Sequence, residues 1–134
     1  MIQVELTKII IDEKRQDQIV VLKEKDGPRQ IPIIIGFMEA SAIKMKISGI
    51  EVPRPLTHDL LVNVINATDA QVTRLIIDKL ETNTFFAKIE IKRHGAEVKL
   101  VDCRPSDGIA VAVRIKCPIF VDEEVLNKAS MMKH

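Results

Sequence analysis

The sequence has no tryptophan and no tyrosine, and its four phenylalanines leave it only 3% aromatic. Single-strand nucleic-acid binders that stack bases need exposed aromatic rings. Four Phe set among apolar neighbours are poor material for such a platform, so the core has to be aliphatic. Cysteine is equally scarce: Cys103 and Cys117 have no metal-ligand spacing and form no disulfide framework, which fits reduced thiols in a cytosolic protein. The five glycines are scattered singly, which excludes a glycine-rich phosphate loop, and neither HxH nor HExxH occurs. Apolar runs such as "IPIIIGFM" fall far short of the ~20 residues that span a bilayer. The start "MIQVELTKIII" lacks the charged, apolar and small-residue regions of a signal peptide. The expectation is a soluble, cytoplasmic protein with no membrane partner. Charge of one sign is also missing. Twenty Lys+Arg against 19 Asp+Glu leave a net charge of +1, too little for a high-affinity coat of nucleic acid, since neutralised phosphates supply most of that affinity. A local patch holding one or two phosphates remains open.

What is present is an ordinary globular chain of 134 residues, 46% hydrophobic and 29% charged. It is expected to form one domain over 1–134 that buries about two-thirds of its unfolded surface. "IQVELTKIIID", "QIVVLKEK" and "RQIPIIIG" read as strands, the third ending at Gly36 and restricted by Pro32 to an edge or a bulge. "FMEASAIKMKISG" changes period, with Phe37, Ala40, Ile43 and Ile47 on one helical stripe. "PLTHDLLVNVINAT" reads as a second helix capped by Thr57 and burying Leu60 and Val64, with Leu61 and Ile65 beside them. Three more strands follow in "AQVTRLIIDKLE", "TFFAKIEIKR" and "AEVKLVDC". A helix in "RPSDGIAVAVRIK", a short strand in "CPIFV" and a helix in "DEEVLNKASMM" capped by Asp122 complete the chain. Strands, then helices, then strands point to an α+β fold: a mixed or antiparallel sheet of about six to seven strands with three to four helices.

Two helix starts share one grammar. "RPLTHDLL" (54–61) and "DCRPSDGIAVAVR" (102–114) each place Arg-Pro, a hydroxyl and an Asp ahead of apolar residues. Proline at the first helical position and an acid in the first turn are accounted for by helix initiation alone. Arginine is not, because a cation at a helix N-terminus opposes the dipole. If the two starts lie close together, Arg54 and Arg104 clamp an anion where free N–H groups also point. If instead each Arg pairs with a carboxylate such as Asp59 or Asp107, the same residues make a structural ion-pair network. His58 is the one histidine within this grammar and is a candidate general acid or base. Glu39, between small residues of the first helix, is either an inward-facing acid or a solvated one.

These stretches, together with "IGFMEASAI", resemble the bifunctional nuclease domain family, long catalogued as a domain of unknown function. The resemblance runs from the first strand to about Val125, and Gly108 stands where the family more usually has Ala. It implies an α+β domain, often self-associating, and cleavage of both RNA and DNA in some members. The family's motif residues fall here on Glu39, Arg54, Thr57, His58, Asp59, Asp102, Arg104, Ser106 and Asp107. On that footing the chain is expected to be a nuclease with little sequence preference. Arg54, Thr57, Arg104 and Ser106 would hold phosphate, and His58, Asp59, Arg104 and Asp107 would be catalytic. Asp102, Asp107 and Glu39 are the candidate ligands of a divalent ion, with carboxylate oxygens suiting Mg²⁺ or Mn²⁺. The expected partners are nucleic acid, bound weakly through a local patch, and further copies of the chain. The alternatives are a non-catalytic oligomeric interaction domain and a binder of a small phosphorylated ligand.

Overall fold

The computed structural model of the chain describes residues 1–131, so Met132, which the sequence reading places in the last helix, lies outside the described residues. Strands β1 (Ile2–Ile10), β2 (Asp17–Glu24) and β3 (Gln30–Gly36) come first, followed by helices α1 (Phe37–Ile47) and α2 (Thr57–Ala67). Strands β4 (Ala70–Glu81), β5 (Thr84–Arg93) and β6 (Lys99–Cys103) precede α3 (Pro105–Ile115), β7 (Ile119–Val121) and α4 (Glu123–Ser130). All seven strands form one sheet in the order β3-β2-β1-β7-β4-β5-β6. Every pairing is antiparallel except β4 with β7, which is parallel. This is the expected α+β fold with a mixed sheet.

Local chemistry explains the order. β3 lies at the sheet edge, where the missing N–H of Pro32 costs no ladder bond. Thr82 and Asn83 turn β4 into β5 at φ of 49° and 61°, the left-handed pair that a two-residue hairpin requires. The short β7 inserts between β1 and β4 and joins two antiparallel meanders into one sheet. One connected aliphatic core results, with Leu22, Ile31, Ile43, Leu75, Ile77, Ile109 and Leu126 fully buried.

Two helix faces differ from the sequence reading. In α1 only Ala40 and Ile43 of the expected stripe are buried, while Phe37 and Ile47 are exposed. In α2, Leu60 and Val64 face solvent at 57% and 51% exposure, and Leu61 is exposed as well. The inward face carries His58, Asp59, Val62 and Ile65, a stripe at helical spacing set by polar pairing with α3.

Gly108 sits where α3 presses on β4. A Cβ there would collide with Leu75 Cδ1 and lie 3.2 Å from Cys103 Sγ. Because Leu75 is fully buried and cannot swing away, Gly108→Ala is expected to destabilise the protein. Overpacking costs about 1–3 kcal/mol, against about 1 kcal/mol regained in helix propensity. Thermal unfolding of Gly108→Ala beside Gly108→Ala/Leu75→Val checks this: the double variant should be the more stable of the two. Glycine at 108 is thus a packing choice tied to Leu75.

Candidate functional site

The two helix starts meet. α3 begins at Pro105 with Arg104 as its N-cap residue in extended conformation (φ −70°, ψ 149°), which places Asp107 in the first turn. α2 begins at Thr57, so Thr57 is the first helical residue and Leu56 the cap, one residue earlier than the sequence reading has it. The capping bond runs the other way: Asp59 Oδ2 accepts the Leu56 N–H at 2.9 Å, leaving the Thr57 hydroxyl at the surface. His58 on α2 reaches α3, its Nε2 lying 3.0 Å from Asp107 Oδ1.

Arg104 folds back over the same carboxylate. Its Nε donates to Asp107 Oδ2 at 2.9 Å and one terminal nitrogen to Oδ1 at 3.0 Å, while the other donates to Glu39 Oε2 at 3.1 Å. Glu39 comes from the first turn of α1, where a Cβ on Gly36 would collide with its Oε1. Glu39, His58, Arg104 and Asp107 therefore form one linked cluster drawn from three helices. They line a cleft of about 330 Å³ whose apolar wall includes Met38, Met45 and Leu56.

The protonation states follow from these contacts. Burial works to raise the Asp107 carboxyl, but hydrogen bonds from Arg104 and then His58 outweigh it and hold it below the usual range. An ionised carboxylate can only accept, so His58 Nε2 must carry the proton it shares with Asp107. In the neutral form of the ring the lone pair is then on Nδ1. Asp107, and after it Glu39, raise the Arg104 guanidinium further above its ordinary value, so it stays charged. Of its five N–H groups three are engaged, which leaves two free on a side chain 64% exposed. Cys103 lies close by, but burial first, then the charges of Asp107 and Asp102, push its thiol up to about 11. It is no nucleophile at neutral pH.

The remaining sequence candidates are placed differently. Asp59 faces away from the cleft and pairs with Arg114, whose Nε lies 2.7 Å from Asp59 Oδ1. The Leu56 N–H, followed by Arg114, overcomes burial to hold the Asp59 carboxyl low. Asp59 thus does not line this cleft and is held by α3 instead. Arg54 lines a neighbouring cleft of about 580 Å³, across the shared wall of Met45 and Leu56, so the two arginines do not clamp one group. Ser106 is buried at 5% exposure and lines neither cleft, so its hydroxyl is not offered to a phosphate.

Asp102 also fails to join the cluster. Strand alternation sets it opposite Cys103, whose sulfur faces α3, and its register partner is Lys88 on β5. Among the described residues no group of three or more His, Cys, Asp or Glu side chains is placed to hold a metal ion. Asp107 and Glu39 bracket a guanidinium, so a cation already occupies the position between them. That donor set does not fit a resident Mg²⁺ or Mn²⁺.

Arg114 escaped the sequence reading although its signal was there. It lies seven residues after Asp107, hence on the same face of α3. Its side chain is only 5% exposed, and besides Asp59 it donates to the carbonyls of Ala110 at 2.9 Å and Ala42 at 3.5 Å. It fastens α1, α2 and α3 together and lines the neighbouring Arg54 cleft.

A small α+β domain whose helix starts converge on a His–Asp–Arg–Glu cluster is the class that fold and site define. The chain matches the bifunctional nuclease domain over residues 20–134, and it belongs to that family. It is 37% identical over 130 residues to an uncharacterised protein of Mycobacterium tuberculosis (strain H37Rv), covering 97% of this chain and 77% of that one. It is 28% identical over 107 residues to bifunctional nuclease 1 of Arabidopsis thaliana, which covers 78% of this chain and 33% of the plant protein. Bifunctional nuclease 2 of Oryza sativa subsp. japonica is also 28% identical, over 114 residues covering 83% of this chain and 35% of its own. The chain thus spans about a third of these plant proteins. Among its described residues no helix is long and apolar enough to cross a membrane.

Proposed function

We propose that the chain hydrolyses phosphodiester bonds of RNA and DNA with little sequence preference at the His58–Arg104–Asp107 cleft. The observation that carries this reading is the 3.0 Å contact of His58 Nε2 with an ionised Asp107, which turns the Nδ1 lone pair into a base beside an exposed guanidinium. Arg104 offers its two free N–H groups to the non-bridging oxygens of the scissile phosphate and stabilises the charge that grows on them. His58 Nδ1 takes a proton from a water as its oxygen bonds to phosphorus. The phosphorus–oxygen bond to the leaving nucleotide breaks with its electron pair on that oxygen, which is protonated from solvent. Asp107 orients the ring and balances the imidazolium. Glu39 holds Arg104 over the cleft, and Thr57 at its rim can donate to the phosphate.

Water as the nucleophile makes a 2′-hydroxyl unnecessary. Highly purified protein should therefore cut single-stranded RNA and single-stranded DNA alike. Cleavage of neither overturns the reading, and cleavage of RNA alone replaces water with the neighbouring 2′-hydroxyl. The protein is proposed to act in the cytoplasm.

The same reading has the protein working as a homo-oligomer. Met38, Ile47, Leu60 and Val64 leave 76%, 54%, 57% and 51% of their surfaces exposed on α1 and α2, more apolar area than a surface helix usually leaves open. Light scattering should find an assembly that Leu60→Glu/Val64→Glu reduces in mass. A wild-type monomer at all concentrations would contradict this.

A further inference from the structure

Arg54 is left without a task by the cleavage cluster, and its surroundings point to one. Arg29, Arg74, Arg104 and Arg114 each carry a carboxylate partner, whereas Arg54, like Arg15 and Arg93, is exposed and has no ion-pair partner among the described residues, and of these three only Arg54 lines the cleft beside the cluster. It stands between Pro53 and Pro55 in the connection from α1 to α2. Proline fixes its own φ and biases the preceding residue to extended backbone, so Arg54 is presented on a stiff segment. The cleft it lines also contains Lys46, Glu51, Asp59 and Arg114. Asp59 and Arg114 satisfy each other, with the second Asp59 oxygen taken by the Leu56 N–H. The charges left free are Lys46 and Arg54 against Glu51, a cationic surplus.

This cleft adjoins the cleavage cleft, since Met45 and Leu56 line both. Their volumes, about 580 and 330 Å³, fall in the range of small-ligand sites, suited to single nucleotide units rather than to a duplex. Ile50, Val52 and Pro53 add apolar surface for a sugar or a base edge.

We propose that the Arg54 cleft is a second phosphate subsite, which holds the backbone of a single-stranded nucleic acid next to the bond being cut. The proposal rests on the nuclease reading for the identity of the neighbouring cleft. It makes the substrate a strand that runs across Leu56 from one cleft to the other, gripped by Arg104 on one side and by Arg54 with Lys46 on the other. The weak overall charge then matters little, because the contacts are few and local.

The test is binding of a fluorescein-labelled ten-nucleotide single strand with uncleavable phosphorothioate linkages, followed by anisotropy across a salt series. One phosphate contact on a single strand contributes about 0.7 to the slope of log K against log salt. Arg54→Ala should lower the slope by about that amount and weaken binding about tenfold at low salt. Arg54→Lys should recover most of the loss. Arg93→Ala removes the same charge from the exposed end of β5, and should leave slope and affinity as in the wild type. Equal losses in Arg54→Ala and Arg93→Ala would reduce the effect to net charge and overturn the subsite, as would no loss in either. Because the strand is not cut, the outcome is separate from that of the nuclease reading. Loss of binding in Arg54→Ala from a protein that cleaves nothing keeps the strand path and removes the hydrolysis, and cleavage with no Arg54 effect on binding does the reverse.

Discussion

On the proposed mechanism, replacing His58 with Ala is expected to lower the rate of phosphodiester cleavage about 10²–10⁴-fold, the usual contribution of a positioned general base, and to leave the fold in place. With Nε2 donating to Asp107, the imidazole keeps a ring lone pair on Nδ1, the atom proposed to accept the proton. Asp107 is held ionised by Arg104 and His58, and Glu39 is engaged by Arg104. Asp107→Asn should approach the same loss by another route. An amide can donate to Nε2, which drives the ring proton onto Nδ1 and removes the base, the tautomer effect known from catalytic triads. Steady-state turnover with circular dichroism as the folding control measures both. A folded His58→Ala protein that keeps more than about a tenth of wild-type activity would place the base elsewhere.

Arg114→Ala is expected to cost about 2–4 kcal/mol of stability, because it strands Asp59 and empties a buried position where three helices meet. The figure lies below that of a fully buried pair since the Asp59 side chain keeps 28% of its surface in solvent. The partner side of the pair has a pH signature. Asp59 is held below its ordinary value by the Leu56 N–H and then by Arg114. Its ionised form therefore stabilises the fold above the unfolded-state value of about 4. That contribution is lost as the pH falls from there through the lower folded value. Wild type should be more stable than Asp59→Asn at neutral pH, with the gap closing in acid. Chemical denaturation at pH 7 and pH 3 reads both predictions, and a gap that stays constant would detach Asp59 from the stability of α2. Arg114→Ala should also lose activity as α2 loosens and His58 drifts from Asp107. This separates it from Arg104→Ala, which should lose activity with only a small loss of stability because Arg104 is mostly exposed.

The strands and helices of this fold were largely legible because each carries local punctuation. β4 and β5 run over the residues their alternation predicts, broken by a turn at Thr82 and Asn83. Asp122 caps α4 as read, accepting the Glu124 N–H. What local pattern could not give was the direction in which α2 faces. Its strongest apolar stripe, Leu60 with Leu61 and Val64, points outward, and the weaker one bearing His58 and Asp59 points in. Tertiary ion pairing with α3 outweighs the apolar stripe, and no single-helix period contains that information. The candidate site divided in the same way. The chain pattern contained the grammar that brings His58, Arg104 and Asp107 together, but not the partition by Met45 and Leu56 that separates Arg54 from them. Asp102 could have been set aside on alternation alone, since it and Cys103 must face opposite sides of β6.

The most direct test of the central claim is cleavage of single-stranded RNA and DNA by highly purified wild type and Arg104→Ala, assayed with and without added divalent ions. Arg104 touches both carboxylates of the cluster and is the group proposed to hold the scissile phosphate. Wild type should cleave both substrates, and the variant, still folded, should cleave neither. Equal activity in the two proteins, or none in either, would contradict the account and make the Glu39–Arg104–Asp107 cluster a structural ion-pair network.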